Sequence, residues 1–308
     1  MSIFWLIFLK IISILLSVIV GFVAGKLKKI ETENIAALLF YFIAPIVFFS
    51  VPASTRLSLS DFSIITTSFT ISSLLAVLTF FCYSGRFCDQ ERNLLATSSG
   101  TGNTGFFMFP IAGYIFDDYT LSIYIMSAVG VNIYEASLGY YISLRSVETA
   151  KEAFKKIIRM PMLIAFVLGS CWSVAGLALP SFLNQFLNDM RSTYSILGMT
   201  MIGLSLAKIS KFEIDIKFTL ASLFSKYIIY PLAVIIFVIF DNYVLRWYSQ
   251  SVYKALILLS SSPVASNMVV ISSLMKMKPE KSATTILISC AISLFYIPAI
   301  VSFVIGMN

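Results

Sequence analysis

The chain has 308 residues, of which 58% are hydrophobic and only 12% charged, against roughly a quarter charged in ordinary soluble domains. Its apolar residues fall in runs of about twenty, the length that crosses a hydrocarbon core of about 30 Å, so a water-soluble fold is excluded and no room is left for a separate nucleotide-binding or catalytic domain. The net charge of +7 then bears on orientation rather than on nucleic acid, because basic residues collect in cytoplasmic loops.

Ten spans are predicted, over 3–25, 34–54, 62–84, 93–116, 119–143, 160–179, 192–208, 217–240, 254–275 and 282–305. The stretch from Ile3 to Ala24 lacks a basic n-region and a small-residue cleavage site, so it is expected to be retained as the first helix. Gly21 and Gly25 on it suit close helix packing. The fourth span, Leu94 to Phe116, is interrupted by Gly100, Gly102, Gly105 and Pro110, and the ninth, Lys254 to Met275, by Ser260 to Ser262 followed by Pro263. Between the fifth and sixth spans, Val147, Ala150, Phe154, Ile157 and Ile158 share one helical face, which fits either a surface helix or a charged connector that fixes orientation. The four cysteines show no metal-ligand or disulfide spacing and are read as buried bulk.

Of the 22 basic residues, sixteen lie in odd-numbered loops, four in even-numbered loops, and Lys10 and Lys226 within spans. The bias places the odd loops in the cytoplasm and both termini outside. The longest cytoplasmic loop, 144–159, separates residues 1–143 from 160–308, five spans each. An odd number per half forces inverted topology, and paired broken helices in corresponding positions are a transporter signature. The predicted fold is therefore all-α and integral to the membrane: one domain of two inverted five-helix repeats, with the broken fourth and ninth helices crossing near the midplane.

The segment from Thr97 to Gly105 is polar and glycine-rich at a depth where an unpaired amide costs several kcal/mol in lipid. It survives only against protein or a water-filled cavity. Pro110 removes a further backbone donor, and half-helix ends offer amides to anions and carbonyls to cations. Close packing of small residues is the competing reading for either span alone. At about 1.5 Å per residue, Asn103, Asn267, Lys226 and Glu135 each lie about 14–16 Å from the nearest loop charge, in the central slab. A charge there costs at least about 2.5–3.5 kcal/mol, so Lys226 and Glu135 are candidates for substrate and ion handling. An ion pair between them, or a substrate carboxylate facing Lys226, satisfies the same depths. Lys10 reaches the interface by snorkelling.

Absence of histidine removes His-Glu-x-x-His zinc sites and histidine-activated serine nucleophiles. Gly21 to Lys26 has one residue too few between its glycines for a P-loop and continues with Leu27, so ATP hydrolysis is not indicated. The chain is read as a non-enzyme without a metal site or cofactor.

Asn103-Thr104-Gly105 with Pro110 seven positions after the Asn resembles the fourth-span motif of the auxin efflux carrier family. The likeness continues through Arg159-Met160-Pro161, Leu163-Ile164-Ala165 with Gly169, Gly203-Leu204-Ser205-Leu206-Ala207, Lys226 with Pro231, and Pro263-Val264-Ala265-Ser266-Asn267, five motifs in order over essentially the full length. The resemblance implies a fold similar to bile acid/sodium symporters, with a scaffold part and a transport part, and organic anion substrates such as dicarboxylates or indole-3-acetate. Met108 stands where the family usually has glycine and Glu135 where an apolar residue is common, and the short central loop is similar to bacterial-type members.

The expected function is alternating-access transport of a small mono- or dicarboxylate, coupled to protons or sodium. Asn103, Thr104, Gly105, Pro110, Lys226, Pro263 and Asn267 are the expected substrate-binding residues, and Glu135 and Asn132 the ion-coupling candidates. The lipid bilayer, the organic anion and a second copy of the chain are the candidate partners, with the bacterial inner membrane the expected location. A non-transporting membrane sensor that binds an organic anion is the alternative, and a passive channel a third reading.

Overall fold

In lipid the backbone must satisfy its own hydrogen bonds, and apolar runs therefore become helices. The computed structural model describes residues 3–28, 30, 32–54, 62–144, 159, 161–208, 214–274 and 279–305, and among these every regular element is helical. In chain order they are α1 (Ile3–Leu27), α2 (32–53), α3 (Phe62–Cys82), α4 (Asp89–Ser99), α5 (104–115), α6 (118–144), α7 (Pro161–Val174), α8 (Leu183–Ala207), α9 (Ile216–Leu245), α10 (Gln250–Ser260), α11 (Asn267–Leu274) and α12 (Pro279–Ile305). The amphipathic segment predicted after the fifth span lies outside the described residues. Four stretches, Phe62–Cys82, Tyr119–Ser143, Ile216–Leu245 and Lys281–Ser302, are long and apolar enough to cross a membrane, and Leu15–Leu27, Tyr41–Ser50 and Ile164–Val174 are shorter apolar helices.

Some predicted boundaries shift. Helix α8 starts at Leu183 rather than 192, because the polar stretch Asn184 to Asp189 continues the helix beyond the apolar run that hydropathy detects. Arg191, read as a loop residue, is therefore a helix residue. Helix α7 stops at Val174 rather than 179. There Gly176 takes a positive φ of 68°, and the Leu177 N–H returns to the Trp172 carbonyl at 3.3 Å, closing the helix with a left-handed glycine. The buried-bulk reading of the cysteines holds only for Cys290; Cys82, Cys88 and Cys171 are exposed. Cys82 and Cys171 are small enough to sit on outward helix faces among apolar side chains.

Three helices contain a turn of π-helix followed two residues later by proline: Leu39–Ile43 before Pro45, Thr104–Met108 before Pro110, and Ser225–Ile229 before Pro231. A proline lacks the N–H that would close the preceding turn and its ring presses on the carbonyl four residues back. Widening that turn accommodates both. A further π turn, Glu135–Gly139, lies in α6 without a proline.

Two groups of helices emerge. Helices α1 and α8 pack together, as do α7 and α2, with α8 also touching α2. A Cβ on Gly203 would overlap the Val18 carbonyl and one on Gly21 the Thr200 carbonyl, so only glycine permits the α1–α8 approach. Gly25, the other glycine read as a packing residue, faces Ala207. The second group joins α3, α4, α6, α9, α10 and α12. Segment α5 packs on α6 of this group and also on α8. Along α9 the exposed side chains Leu220, Phe224, Ile228, Leu232, Ile236 and Ile239 recur every three or four residues, one continuous apolar face turned outward.

Candidate functional site

Helix α4 carries Asp89 and Glu91 in its first turn, favourable to its positive end, and is buried from Asn93 to Ser99. It stops at Gly100. The hydroxyls of Ser98 and Ser99 donate to the Leu95 and Ala96 carbonyls, at 3.1 and 2.8 Å, so part of the exposed helix end is satisfied locally. Helix α10 ends in the same way, with the Ser260 and Ser261 hydroxyls both donating to the Ile257 carbonyl. Each break is a serine-capped helix end followed by a few residues of open backbone.

The two breaks touch. The Asn103 N–H donates to the Pro263 carbonyl at 2.9 Å. A Cβ on Gly102 would overlap the Ser262 hydroxyl and lie 2.5 Å from the Lys226 Nζ, so glycine there admits both groups to one spot. Lys226 is 1% exposed. It donates to the Thr101 carbonyl at 2.6 Å and stands 4.3 Å from the centre of the Tyr230 ring. The ammonium thus sits beyond the negative end of α4, where a cation is favoured. It has three donors, and Thr101 is its single hydrogen-bond acceptor among the described residues.

Asn103 spends its side-chain oxygen on the Phe107 N–H at 3.2 Å, which caps α5. Its amide nitrogen is buried without a hydrogen-bond partner among the described residues, as is the Ser262 hydroxyl. Ser262 Oγ and Lys226 Nζ therefore meet about Gly102 with hydrogen-bonding capacity to spare, and the next residue, Asn103, carries a further unpartnered donor.

Asn267 opens α11 and donates from Nδ2 to Glu135 Oε1 at 2.9 Å. Among the described residues no ion pair within 4 Å joins Glu135 to Lys226. Each charge instead starts or occupies a π turn, Glu135–Gly139 and Ser225–Ile229. Thr104, Gly105 and Asn132 line a cleft together with Phe109, Tyr124 and Tyr194. The Tyr124 hydroxyl donates to the Thr104 carbonyl at 2.8 Å. Pro110 stands in the first α turn after the π turn of α5, so the break itself is confined to 100–103.

The residues singled out from sequence thus fall into three neighbouring places: Asn103, Lys226 and Pro263 where the breaks meet, Asn267 with Glu135, and Thr104, Gly105 and Asn132 on the cleft. Sequence reasoning missed Ser289, whose hydroxyl accepts from the freed Val264 N–H at 2.8 Å and is shared with Tyr227. The four-residue spacing of Lys281, Thr285, Ser289 and Ser293 in an apolar span was the signal that could have found it. Tyr194 carried no such signal. Among the described residues no group of three or more metal-ligating side chains gathers.

The profile of a family described as "Membrane transport protein" matches residues 6–301. No curated protein matches the chain significantly.

Proposed function

Because the chain belongs to the auxin efflux carrier family of membrane transport proteins, we propose that it is a secondary active transporter that moves a small organic anion by alternating access. The observation that carries this reading is the donor cluster where the two breaks meet. Asn103 Nδ2 and Ser262 Oγ are buried without partners, and Lys226 Nζ has no carboxylate within ion-pair range among the described residues. A buried cation with no carboxylate in direct contact is costly, and an anionic ligand lowers that cost. The carboxylate is held by these donors and by the backbone between Gly102 and Gly105, with Pro263 and Asn267 shaping the opposite wall.

The helix packing supports two inverted five-span repeats. Contact of α1 with α8 is mirrored by α7 with α2, α3 with α6 by α9 with α12, and α3 with α4 by α9 with α10. On this reading the two broken spans cross near the midplane, and the group that holds them moves against α1, α2, α7 and α8. Glu135, held by Asn267, carries the coupling proton, with Asn132 one turn away at the cleft. The basic-residue bias sets both termini outside the cell membrane of a bacterial-type cell.

Reconstitution into liposomes tests the reading. Radiolabelled mono- and dicarboxylates are offered under imposed proton, sodium and counter-substrate gradients. Saturable accumulation is the expected result. Binding without accumulation under any gradient would indicate a sensor, and non-saturating conductance a channel.

A further inference from the structure

Thr285, Ser289 and Ser293 follow one another at four-residue spacing on α12, but they do not bond alike. Thr285 and Ser293 each donate to the α12 carbonyl four residues earlier, at 2.9 Å. Ser289, fully buried between them, turns outward instead. Its oxygen accepts from the Val264 N–H at 2.8 Å and lies 2.9 Å from the Tyr227 hydroxyl, which donates to the Ser289 carbonyl at 2.6 Å. Every group is satisfied when the Ser289 O–H points to Tyr227 Oη. Tyr227 is fixed in turn: its carbonyl accepts from the Tyr296 hydroxyl at 3.1 Å, and the two rings meet edge to face with their centres 4.9 Å apart.

The Val264 N–H and the Pro263 carbonyl belong to one planar peptide group. Its oxygen takes the Asn103 N–H at 2.9 Å and its hydrogen goes to Ser289, so α12 grips the second break and, through one rigid peptide, the first. The donors of the junction each lie one step from this chain: Asn103 is its far end, Ser262 precedes Pro263, and Lys226 precedes Tyr227. Asn103 Nδ2 and Ser262 Oγ are buried without partners among the described residues. A buried N–H left without an acceptor is penalised, and any turn of the peptide that found Val264 another would withdraw the carbonyl from Asn103. A mere tie between α9 and α12 does not need Ser289, because Ser293 also reaches the Tyr227 hydroxyl, at 2.9 Å.

We propose that Ser289, steadied by Tyr227, is a positioning residue of the transport site: it fixes the Pro263–Val264 peptide and through it the Asn103 backbone, so that the donors of Asn103, Lys226 and Ser262 present one arrangement to the anion. This rests on the transport reading above. The test compares the full chain with Ser289→Ala, Ser289→Thr and Tyr227→Phe. In detergent, hydrogen exchange of the segments 100–105 and 260–265 should quicken about tenfold in Ser289→Ala, as the loss of one hydrogen bond requires. It should stay at the unaltered rate in Ser289→Thr, which keeps the hydroxyl. In liposomes, with radiolabelled succinate and benzoate as probes, Ser289→Ala should raise the half-saturation about tenfold at unchanged maximal rate, and Ser289→Thr should restore it. Tyr227→Phe leaves the serine in place and should move both readouts in the same direction by less; it carries the test where the alanine variant does not fold. Faster exchange confined to α12 and 260–265, or an unchanged half-saturation, would overturn the assignment and leave Ser289 a tie between helices. Uptake of neither probe by the unaltered chain would overturn the transport reading, while exchange of 100–105 still decides whether Ser289 positions the junction.

Discussion

At Lys226 a buried ammonium meets one carbonyl and the face of one tyrosine ring, and on the transport reading it receives the substrate carboxylate. Hydrogen bonds to charged groups contribute about 1.5–3 kcal/mol each, so Lys226→Met is expected to raise the half-saturation for substrate by about 10- to 100-fold. The same change removes a buried charge that no carboxylate contacts directly among the described residues, so the melting temperature in detergent should stay level or rise. A raised half-saturation accompanied by a lower melting temperature would mark Lys226 as structural. Glu135→Gln keeps the shape and the acceptor for Asn267 and removes the titratable proton. Uptake driven by a pH gradient should then collapse to the rate seen without the gradient, while counterflow exchange persists; retained gradient-driven accumulation would place the coupling elsewhere.

Element by element, the prolines and glycines determine where helices bend and how closely they approach. Pro110 and Pro231 each follow a π turn, and the turn before Pro231 carries Lys226. The α1–α8 seam depends on Gly21 and Gly203 meeting opposite carbonyls. Gly203→Leu should force the two helices apart and destabilise the protein by about 1–3 kcal/mol, the usual cost of overfilling a packed interior, read as a lower thermal midpoint in detergent. Gly113, whose Cβ would meet only the tip of Leu121 at 3.9 Å, serves as the control and should tolerate alanine with little change.

For the molecule as a whole, three helix ends are tied by one lysine. Lys281 of α12 bridges Asp215 before α9 at 2.7 Å and Glu91 of α4 at 3.1 Å. Asp215 also accepts from the Phe218 N–H to cap α9. The Lys281 hydrogen bond, then the Phe218 N–H, hold the Asp215 carboxyl below its ordinary value. A depressed carboxylate adds stability above its unfolded value of about 3.9 and loses it as the pH falls through the lower folded value. Acid melting curves should therefore show an Asp215-dependent loss below about pH 4 that Asp215→Asn abolishes. An unchanged acid profile in that variant would dismiss the tie.

The sequence by itself determined the solvent and the elements. Twenty-residue apolar runs can only be helices in lipid, charge placement marks the loops, and Gly100, Gly102, Ser260 to Ser262 and Pro263 mark where two spans must break. Those are local properties of composition and backbone chemistry. Depth counting also brought Asn103, Asn267, Lys226 and Glu135 to one level. Which of them touch was decided only by the tertiary structure: Asn103 meets Pro263, Asn267 meets Glu135, and Lys226 meets Thr101. Rotation about each helix axis is set by packing against neighbours that are distant in the chain, and the π turns shift the facing of every residue beyond them. Arg191 shows the same limit: charge counting placed it in a loop, while packing holds it against Ser50 and Ser54, 141 and 137 residues away.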